Sequence, residues 1–209
     1  MSFDTLAPHY TWMERLLAGP RLQRARVAHL GALAGCRRIL IAGVGHGHLL
    51  HACAQRFPAA EIVSVDASAR MLAHAQRRTA PVAARLAFVH ATLPAWQPPA
   101  HAFDAIATPF FLDCFPPAEL AAVIATLAAA ARPRARWLVS DFSIPTAGWR
   151  RRRAQAIHAA MYAFFRPVTG IRARRVTPPD PLLRAHRFRL AARRTFELGL
   201  LQSDLWTRD

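Results

Sequence analysis

The stretch Arg37-Arg38-Ile39-Leu40-Ile41-Ala42-Gly43-Val44-Gly45-His46-Gly47-His48-Leu49-Leu50 decides the fold. Its apolar run from Ile39 to Ala42 predicts a strand that is buried on both faces. Three alternating glycines follow, and Leu49 and Leu50 then open a helical pattern. Glycine allows a turn with positive φ and a close approach of the backbone to a ligand, while free N–H groups at the start of the helix face that ligand. A strand, a glycine turn and a helix together predict a nucleotide-type site.

A carboxylate at the end of the next predicted strand fits the same site. The segment Glu61-Ile62-Val63-Ser64-Val65-Asp66 is apolar and ends in an acid, which lies about 20 residues beyond the glycines. Asp66 is therefore placed to accept hydrogen bonds from both ribose hydroxyls of a nucleoside. The glycines are spaced G-x-G-x-G, whereas the dinucleotide fingerprint G-x-G-x-x-G would need its third glycine at His48. A nicotinamide-type Rossmann domain is the alternative.

Together with Val65-Asp66-Ala67-Ser68-Ala69-Arg70-Met71-Leu72, the glycine motif resembles the class I S-adenosylmethionine-dependent methyltransferases, whose second motif has the form V-D-x-S-x-x-M-L. The segments 137–142, 148–149, 161–166 and 200–206 extend the resemblance to bacterial members of the small-molecule type. The resemblance implies a cytoplasmic enzyme that transfers a methyl group to a small or medium-sized metabolite. It leaves the acceptor and the oligomeric state open.

The resemblance also implies S-adenosyl-L-methionine as the cofactor and assigns residues to its parts. The glycines would carry its methionine end and Asp66 its ribose, while Ser68, Met71 and Ala91 would flank the adenine. The expected cofactor-binding residues are Gly43, Gly45, His46, Gly47, Asp66, Ala67, Ser68, Met71, Ala91, Thr92 and Thr108.

The chain departs from the family's pattern at two positions. Members usually carry Asp or Glu two residues before the first glycine, where this chain has Ile41, and Asp at the end of the third strand, where it has Ala91. His46 or a backbone carbonyl would then replace the first acid, and the backbone around Ala91 and Thr92 the second. These departures leave open a non-catalytic module with weakened cofactor binding.

Alternating strand and helix patterns predict one α/β domain over 209 residues, with a Rossmann-like, mostly parallel seven-stranded sheet and helices on both faces. Residues 1–35 are expected to form a helical lid (helices over 8–18 and 21–33), residues 36–142 the cofactor-binding core, and residues 143–209 a substrate-side helix and closing strands. The fourth strand is predicted over 103–107, a helix over 117–131, and the fifth strand over 136–142. A loop at 178–181 precedes the closing antiparallel strands over 186–192 and 195–203, joined through 192–194.

Two carboxylates are candidates for a general base, because Asp113 follows the fourth predicted strand and Asp141 ends the fifth. A base contributes about 10²–10⁴-fold where the acceptor is an O–H group or a protonated amine. Asp113 has a structural alternative, as a cap for the helix after Pro116-Pro117. The acceptor cavity is expected to be lined by Tyr10, Trp12, Phe110, Phe111, Trp149 and Tyr162. No metal site is expected at His46, His48 and His51, since no acid or thiol lies at ligand spacing.

The formal net charge of +16 comes from 28 basic residues, all of them Arg, in a chain without Lys or Asn. This bias is typical of a GC-rich genome, and it favours a soluble enzyme with a biased surface. An RNA methyltransferase is the alternative that the arginine surplus keeps open. Three scattered cysteines without a C-x-x-C pair indicate a reducing cytoplasmic setting. No apolar run reaches the length of about 20 residues that a membrane span needs.

Overall fold

The computed structural model describes residues 19–169, 173 and 175–209, apart from the side chains at 19, 83, 84 and 164–169. Tyr10, Trp12 and the helix predicted over 8–18 lie outside the described residues. No helix among the described ranges is long and apolar enough to cross a membrane.

Helices and strands alternate through most of the described chain. The strands are β1 (Arg38–Ala42), β2 (Glu61–Asp66), β3 (Leu86–His90), β4 (Phe103–Pro109), β5 (Ala131–Phe142), β6 (Phe188–Phe196) and β7 (Leu201–Arg208). The helices are α1 (Gly19–Val27), α2 (His48–Arg56), α3 (Ala69–Thr79), α4 (Pro117–Ala130), α5 (Gly148–Thr169) and α6 (Asp180–Ala185).

All seven strands form one sheet in the order β3-β2-β1-β4-β5-β7-β6. The first five strands are parallel, and β7 pairs antiparallel with both β5 and β6. This arrangement confirms the predicted fold class, including the antiparallel C-terminal pair. The strand order reverses between β1 and β4, and such a switch point opens a crevice at the carboxyl ends of the strands.

Strand β1 divides the core into two layers because alternate side chains point to opposite faces of a sheet. Leu40 and Ala42 pack with the residues of α4, whereas Ile39 and Ile41 pack with those of α2. All four side chains are fully buried. Burial on both faces explains the continuous apolar run and fixes the end of β1 against the glycine turn.

The helix predicted over 21–33 is shorter than expected. Its α-helical part, α1, ends at Val27, and a separate 3-10 turn covers Leu30–Leu33. Strand β5 begins at Ala131, directly after α4 and five residues before the predicted start, and it contains Pro133. The predicted loop at 178–181 was also wrong in part, since α6 starts at Asp180.

The predicted connection between the closing strands was wrong. The chain reverses at Glu197–Gly199 and not at 192–194, because Glu197, Leu198 and Gly199 all have positive φ angles, of 51°, 59° and 87°. Arg193 instead lies inside β6 opposite the fully buried Asp204 of β7. Its guanidinium donates to both carboxylate oxygens of Asp204, at 2.8 and 2.7 Å, which holds this register.

Candidate active site

The three glycines between β1 and α2 form a turn with φ angles of 76°, 51° and 78°. A Cβ on Gly43 would lie 2.5 Å from the Phe111 ring, and one on Gly47 would lie 2.8 Å from the Ala75 Cα atom. A Cβ on Gly45 would meet nothing within 4 Å. The outer glycines therefore permit close packing, whereas Gly45 presents its backbone to open space.

The turn is anchored from both neighbouring elements. The Gly43 amide donates to the Val65 carbonyl of β2 at 2.9 Å, and Arg78 of α3 donates to the His46 carbonyl at 2.8 Å. The turn is consequently held in place before any ligand arrives, which lowers the entropic cost of binding.

Asp66 ends β2 beside the glycine turn. Its two carboxylate oxygens accept hydrogen bonds from the Gly45 amide, at 3.0 Å, and from the Ser68 amide, at 2.9 Å. Burial raises the pKa of Asp66 above its usual value, and these two hydrogen bonds oppose that rise. Each carboxylate oxygen has a second lone pair, so the side chain can still accept from two hydroxyl groups.

Ser68 caps α3, because its hydroxyl accepts from the Met71 amide at 3.2 Å. Serine is a preferred N-cap residue because its hydroxyl satisfies one of the free amides of the first turn. The cap places Met71 on the wall of the cavity while Ser68 itself is fully buried. The amide of Ala91, directly after β3, donates to the Asp66 carbonyl at 3.1 Å. This bond joins the end of β3 to β2 at Asp66, the residue that is expected to bind the ribose.

A cavity of about 540 Å³ lies over the carboxyl ends of β1, β2 and β4, and small-molecule sites are typically about 300–1,000 Å³. It joins two halves: the glycine turn and Asp66 line one, and Phe110, Phe111 and Tyr162 line the other. The predicted residues that line it are Gly43, Gly45, His46, Asp66, Ala67, Met71, Ala91, Thr92, Phe110, Phe111, Asp113 and Tyr162.

Several predicted site residues do not line this cavity. Thr108 is fully buried in β4, where its hydroxyl accepts from the Trp137 indole at 3.1 Å and donates to the Leu138 carbonyl. Trp149 is 61% exposed at the start of α5. Gly47 and Ser68 support the wall by packing and capping. Asp141 lies behind Asp113.

Asp113 and Asp141 form a buried carboxyl pair. The Asp113 amide donates to Asp141 at 3.1 Å, and the two carboxyl groups share a hydrogen bond. Asp141 also accepts from the Phe142 amide at 3.0 Å. Asp113 itself faces the cavity, in a 3-10 turn (Leu112–Cys114), so it does not cap α4, whose N-cap is Pro116.

The surroundings of this pair disfavour the charged form of both carboxyl groups. Burial raises the pKa of Asp113, and burial together with the neighbouring Asp113 charge raises the pKa of Asp141 well above its usual value. Two adjacent carboxylates cannot both ionise readily at low solvent exposure. The Tyr162 hydroxyl donates to the Asp113 carbonyl at 3.1 Å, and this bond fixes α5 against the turn.

The cavity also contains residues that the sequence did not single out. Arg26 of α1 is only 8% exposed, and its guanidinium lies 5.1 Å from the centre of the Phe110 ring. Cys114, Phe142 and Met161 complete the second half of the wall. Arg26 is one arginine among many, and its inward direction depends on how α1 packs on the sheet, where the Ser140 hydroxyl of β5 donates to the Ala25 carbonyl at 3.1 Å. No local pattern could therefore have identified it.

Comparisons with known proteins agree with this geometry. A family model described as a methyltransferase domain matches residues 39–134. The chain is 33% identical over 146 residues to the ubiquinone/menaquinone biosynthesis C-methyltransferase UbiE of Syntrophotalea carbinolica, across 69% of this chain and 61% of that protein. The chain thus spans about three fifths of that relative's length.

Two solved structures from Burkholderia thailandensis share the fold at low sequence identity. An O-methyltransferase family protein superposes with a TM-score of 0.76 at 18% identity, covering 99% of this chain and 60% of its own. The 1,6-didemethyltoxoflavin-N1-methyltransferase, solved with bound 1,6-didemethyltoxoflavin and S-adenosylhomocysteine, has a TM-score of 0.67 at 17% identity, covering 98% of this chain and 87% of its own. The domain match, the sequence relative and the shared sheet lead to one conclusion: the chain belongs to the class I S-adenosylmethionine-dependent methyltransferase family.

Proposed function

We propose that this protein transfers a methyl group from S-adenosylmethionine to a small or medium-sized metabolite. The observation that carries the proposal is a single cavity in which a glycine turn and a strand-end carboxylate adjoin an aromatic half with a buried acid. Proximity of a cofactor and an acceptor in one cavity contributes up to about 7–11 kcal/mol to such a reaction.

The residues of the first half fit the cofactor. The open space above Gly45 and the backbone of the turn suit its methionine end, Asp66 suits the ribose hydroxyls, and Met71 and Ala91 suit the flat faces of the adenine. When bound, the cofactor supplies a methyl group on a positively charged sulfur. The protein's own contribution there is binding and orientation.

At the methionine end, the chain recognises charge differently from the family's usual pattern. Ile41 replaces the usual acid and is fully buried in the core, so it offers no partner to the amino group. Arg26 brings a guanidinium to the cavity, and a guanidinium matches a carboxylate well. In this proposal Arg26 binds the carboxylate of the methionine moiety and so adds affinity at the end of the cofactor where the family's acid is missing.

The second half is proposed to hold the acceptor. Phe110, Phe111 and Phe142 offer flat apolar walls, and Asp113 offers the group that takes up the acceptor's proton. Asp141 is proposed to act through Asp113 as a positioning residue, because it binds the Asp113 amide and lies behind it. An aromatic or otherwise planar acceptor fits these walls.

The relatives support a small acceptor. UbiE is named for C-methylation in ubiquinone and menaquinone biosynthesis, and the toxoflavin enzyme for N1-methylation of 1,6-didemethyltoxoflavin. The free thiols of Cys36, Cys53 and Cys114 support a cytoplasmic location. The aromatic lid formed by Tyr10 and Trp12 remains part of the proposal.

A transfer assay with methyl-labelled S-adenosylmethionine and a bacterial extract tests the proposal. The extract is separated beforehand into metabolites below the size of a dinucleotide, total RNA and protein. We expect label in the metabolite fraction with the wild type and background with Asp113→Asn. Label in RNA alone would favour an RNA methyltransferase. If the wild type binds the cofactor but labels none of the three fractions, the non-catalytic module would be favoured.

A further inference from the structure

Three large apolar side chains are exposed among the residues that the structure describes, and they lie at one corner of the molecule. Ile144 is 36%, Trp149 61% and Leu198 48% exposed. They come from the segment after β5 and from the β6–β7 turn. Leu198 has a φ of 59°, a conformation that costs a non-glycine residue about 1–2 kcal/mol.

Short contacts hold these two segments together. The Ser143 hydroxyl donates to the Gly199 carbonyl at 2.7 Å, and the Ser143 amide donates to the Leu200 carbonyl at 2.9 Å. A Cβ on Gly199 would lie 2.8 Å from the Pro145 ring. Residues 143–152 and 197–199 therefore form one surface, which we call the Arg-Trp corner.

Basic side chains surround the apolar ones. Arg150, Arg151 and Arg152 are exposed, and the Arg150 guanidinium lies 5.8 Å from the centre of the Trp149 ring. The acid in this corner, Glu197, is only partly exposed and pairs with Arg21 at 2.9 Å. The corner consequently presents exposed apolar side chains beside a group of exposed arginines, Arg150–Arg152, which we call the collar.

The corner lies on the same side of the sheet as the cavity. Phe142 ends β5 and pairs with Leu201, so the β6–β7 turn projects from the edge where the parallel strands end. Phe142 lines the cavity and lies only two residues before Ile144. Helix α5 runs from Trp149 to the cavity residue Tyr162, a distance of about 20 Å at 1.5 Å per residue.

We propose that the Arg-Trp corner docks on a bilayer surface that contains anionic phospholipid. Aromatic and aliphatic tips in a basic collar match the interface of such a bilayer, where apolar groups enter the headgroup region and arginines meet phosphate. A second copy of the chain fits less well, because a two-fold contact would place the Arg150–Arg152 collars against each other in a protein of net charge +16. Nucleic acid would use the collar but leave Ile144 and Leu198 without a role.

Sedimentation with vesicles tests this inference without any assay of methyl transfer. We expect the protein to partition onto phosphatidylcholine vesicles that contain phosphatidylglycerol and to remain free of pure phosphatidylcholine vesicles. The triple variant R150Q/R151Q/R152Q should partition at least about 100-fold more weakly, since each basic residue near the surface contributes about 1 kcal/mol and 1.4 kcal/mol corresponds to tenfold. Trp149→Ala should weaken partitioning as well, and the fluorescence blue shift on vesicle binding should disappear in Trp149→Phe.

A matched triple variant controls for net charge alone. Arg56, Arg134 and Arg187 are exposed at the amino ends of the parallel strands, on the opposite side of the molecule, and R56Q/R134Q/R187Q should keep the wild-type affinity. Equal loss in both triple variants, binding without anionic lipid, or no vesicle binding would overturn the inference. Two further results would overturn it. One is a dimer of the wild type that dissociates in Trp149→Ala, and the other is RNA binding that depends on Trp149 in a protein that does not bind vesicles.

Discussion

At Gly45 the backbone enters the left-handed region while the space above its Cα atom stays open to the cavity. Gly43 and Gly47 have similar φ angles but are closed in by Phe111 and Ala75. The sequence shows three equivalent glycines. Only the packing shows that Gly45 alone presents its surface to a ligand, whereas the other two permit close contact within the protein.

Gly45→Ala should separate ligand binding from folding. The new Cβ meets no protein atom within 4 Å, so stability should fall by only about 1–2 kcal/mol, the cost of positive φ. The same Cβ would occupy the cofactor space, so calorimetric affinity for S-adenosylhomocysteine should fall at least about tenfold, or 1.4 kcal/mol.

Gly35→Ala is the control for this change. Gly35 has a φ of 83° and equally open surroundings, but it precedes β1 at the far end of the strand. It should lose similar stability and keep full affinity. Equal affinity loss in both variants would show that backbone strain, and not the cavity, explains the Gly45 effect.

Asp113 and Asp141 should differ in what their loss does to catalysis. Asp113→Asn removes the carboxylate that faces the cavity, and kcat should fall about 10²–10⁴-fold, the usual contribution of a general base. A general base acts in its ionised form, and burial raises the pKa of Asp113. The wild-type rate should therefore fall as the pH drops through this raised pKa, which lies above the ordinary Asp pKa of about 3.9.

Asp141→Asn keeps the size of the side chain behind Asp113. It should cost much less in kcat and move the acidic limb of the pH–rate profile, because Asp113 then titrates without a second carboxyl group beside it. Acceptor titrations with a purified substrate give kcat and KM for each variant. Unchanged kcat in Asp113→Asn would remove it from the chemistry.

The direction of a side chain was the hardest residue-scale property to predict. Thr108 and Trp149 were expected in the site, yet Thr108 points into the core and Trp149 into solvent. Arg26 was not expected and lies inside. A strand end or a helix start fixes the position of a Cα atom, but only tertiary packing selects which face its side chain uses.

Among the elements, the closing hairpin departs most from the sequence pattern. The arginines at 193 and 194 predict an exposed turn because charged residues are rarely buried. In the structure Arg193 is held inside β6 by Asp204 of β7 and by Asp180 of α6, at 2.7 Å. These ionic partners are distant in sequence, and this explains why local reasoning placed the turn wrongly.

Asp204→Ala should therefore be strongly destabilising. Asp204 is fully buried and accepts from Arg193 and Gln202, while Arg193 is about one third exposed and also pairs with Asp180. Loss of hydrogen bonds to a charged group costs about 1.5–3 kcal/mol. Urea unfolding monitored by circular dichroism measures the free energy of unfolding.

Asp209→Ala provides the matched control. Its partner Arg189 and Asp209 itself are largely exposed, and exposed pairs are worth about 0–1 kcal/mol. A loss below 1 kcal/mol in Asp204→Ala would mean that the pair with Arg193 does not set the register of the hairpin.

For the whole molecule, the mostly parallel sheet could be predicted because parallel pairs need crossover helices and the chain alternates strands and helices. The sheet then places the glycine turn, Asp66 and Asp113 at one edge without further information. Net charge was less informative. A value of +16 describes the entire surface, and only the structure shows which arginines gather around exposed apolar residues.

The central claim is that the cavity holds an S-adenosyl nucleoside through Asp66. Calorimetric titration with S-adenosylhomocysteine tests it most directly, using the wild type, Asp66→Ala and Asp104→Ala. Asp104 is a matched control, since it accepts the Arg37 and Arg38 amides at 2.9 Å on the opposite edge of the sheet. We predict saturable binding to the wild type and to Asp104→Ala, and binding weaker by about 1.5–3 kcal/mol in Asp66→Ala. A folded wild type that fails to bind, or equal affinity in all three proteins, would contradict the account.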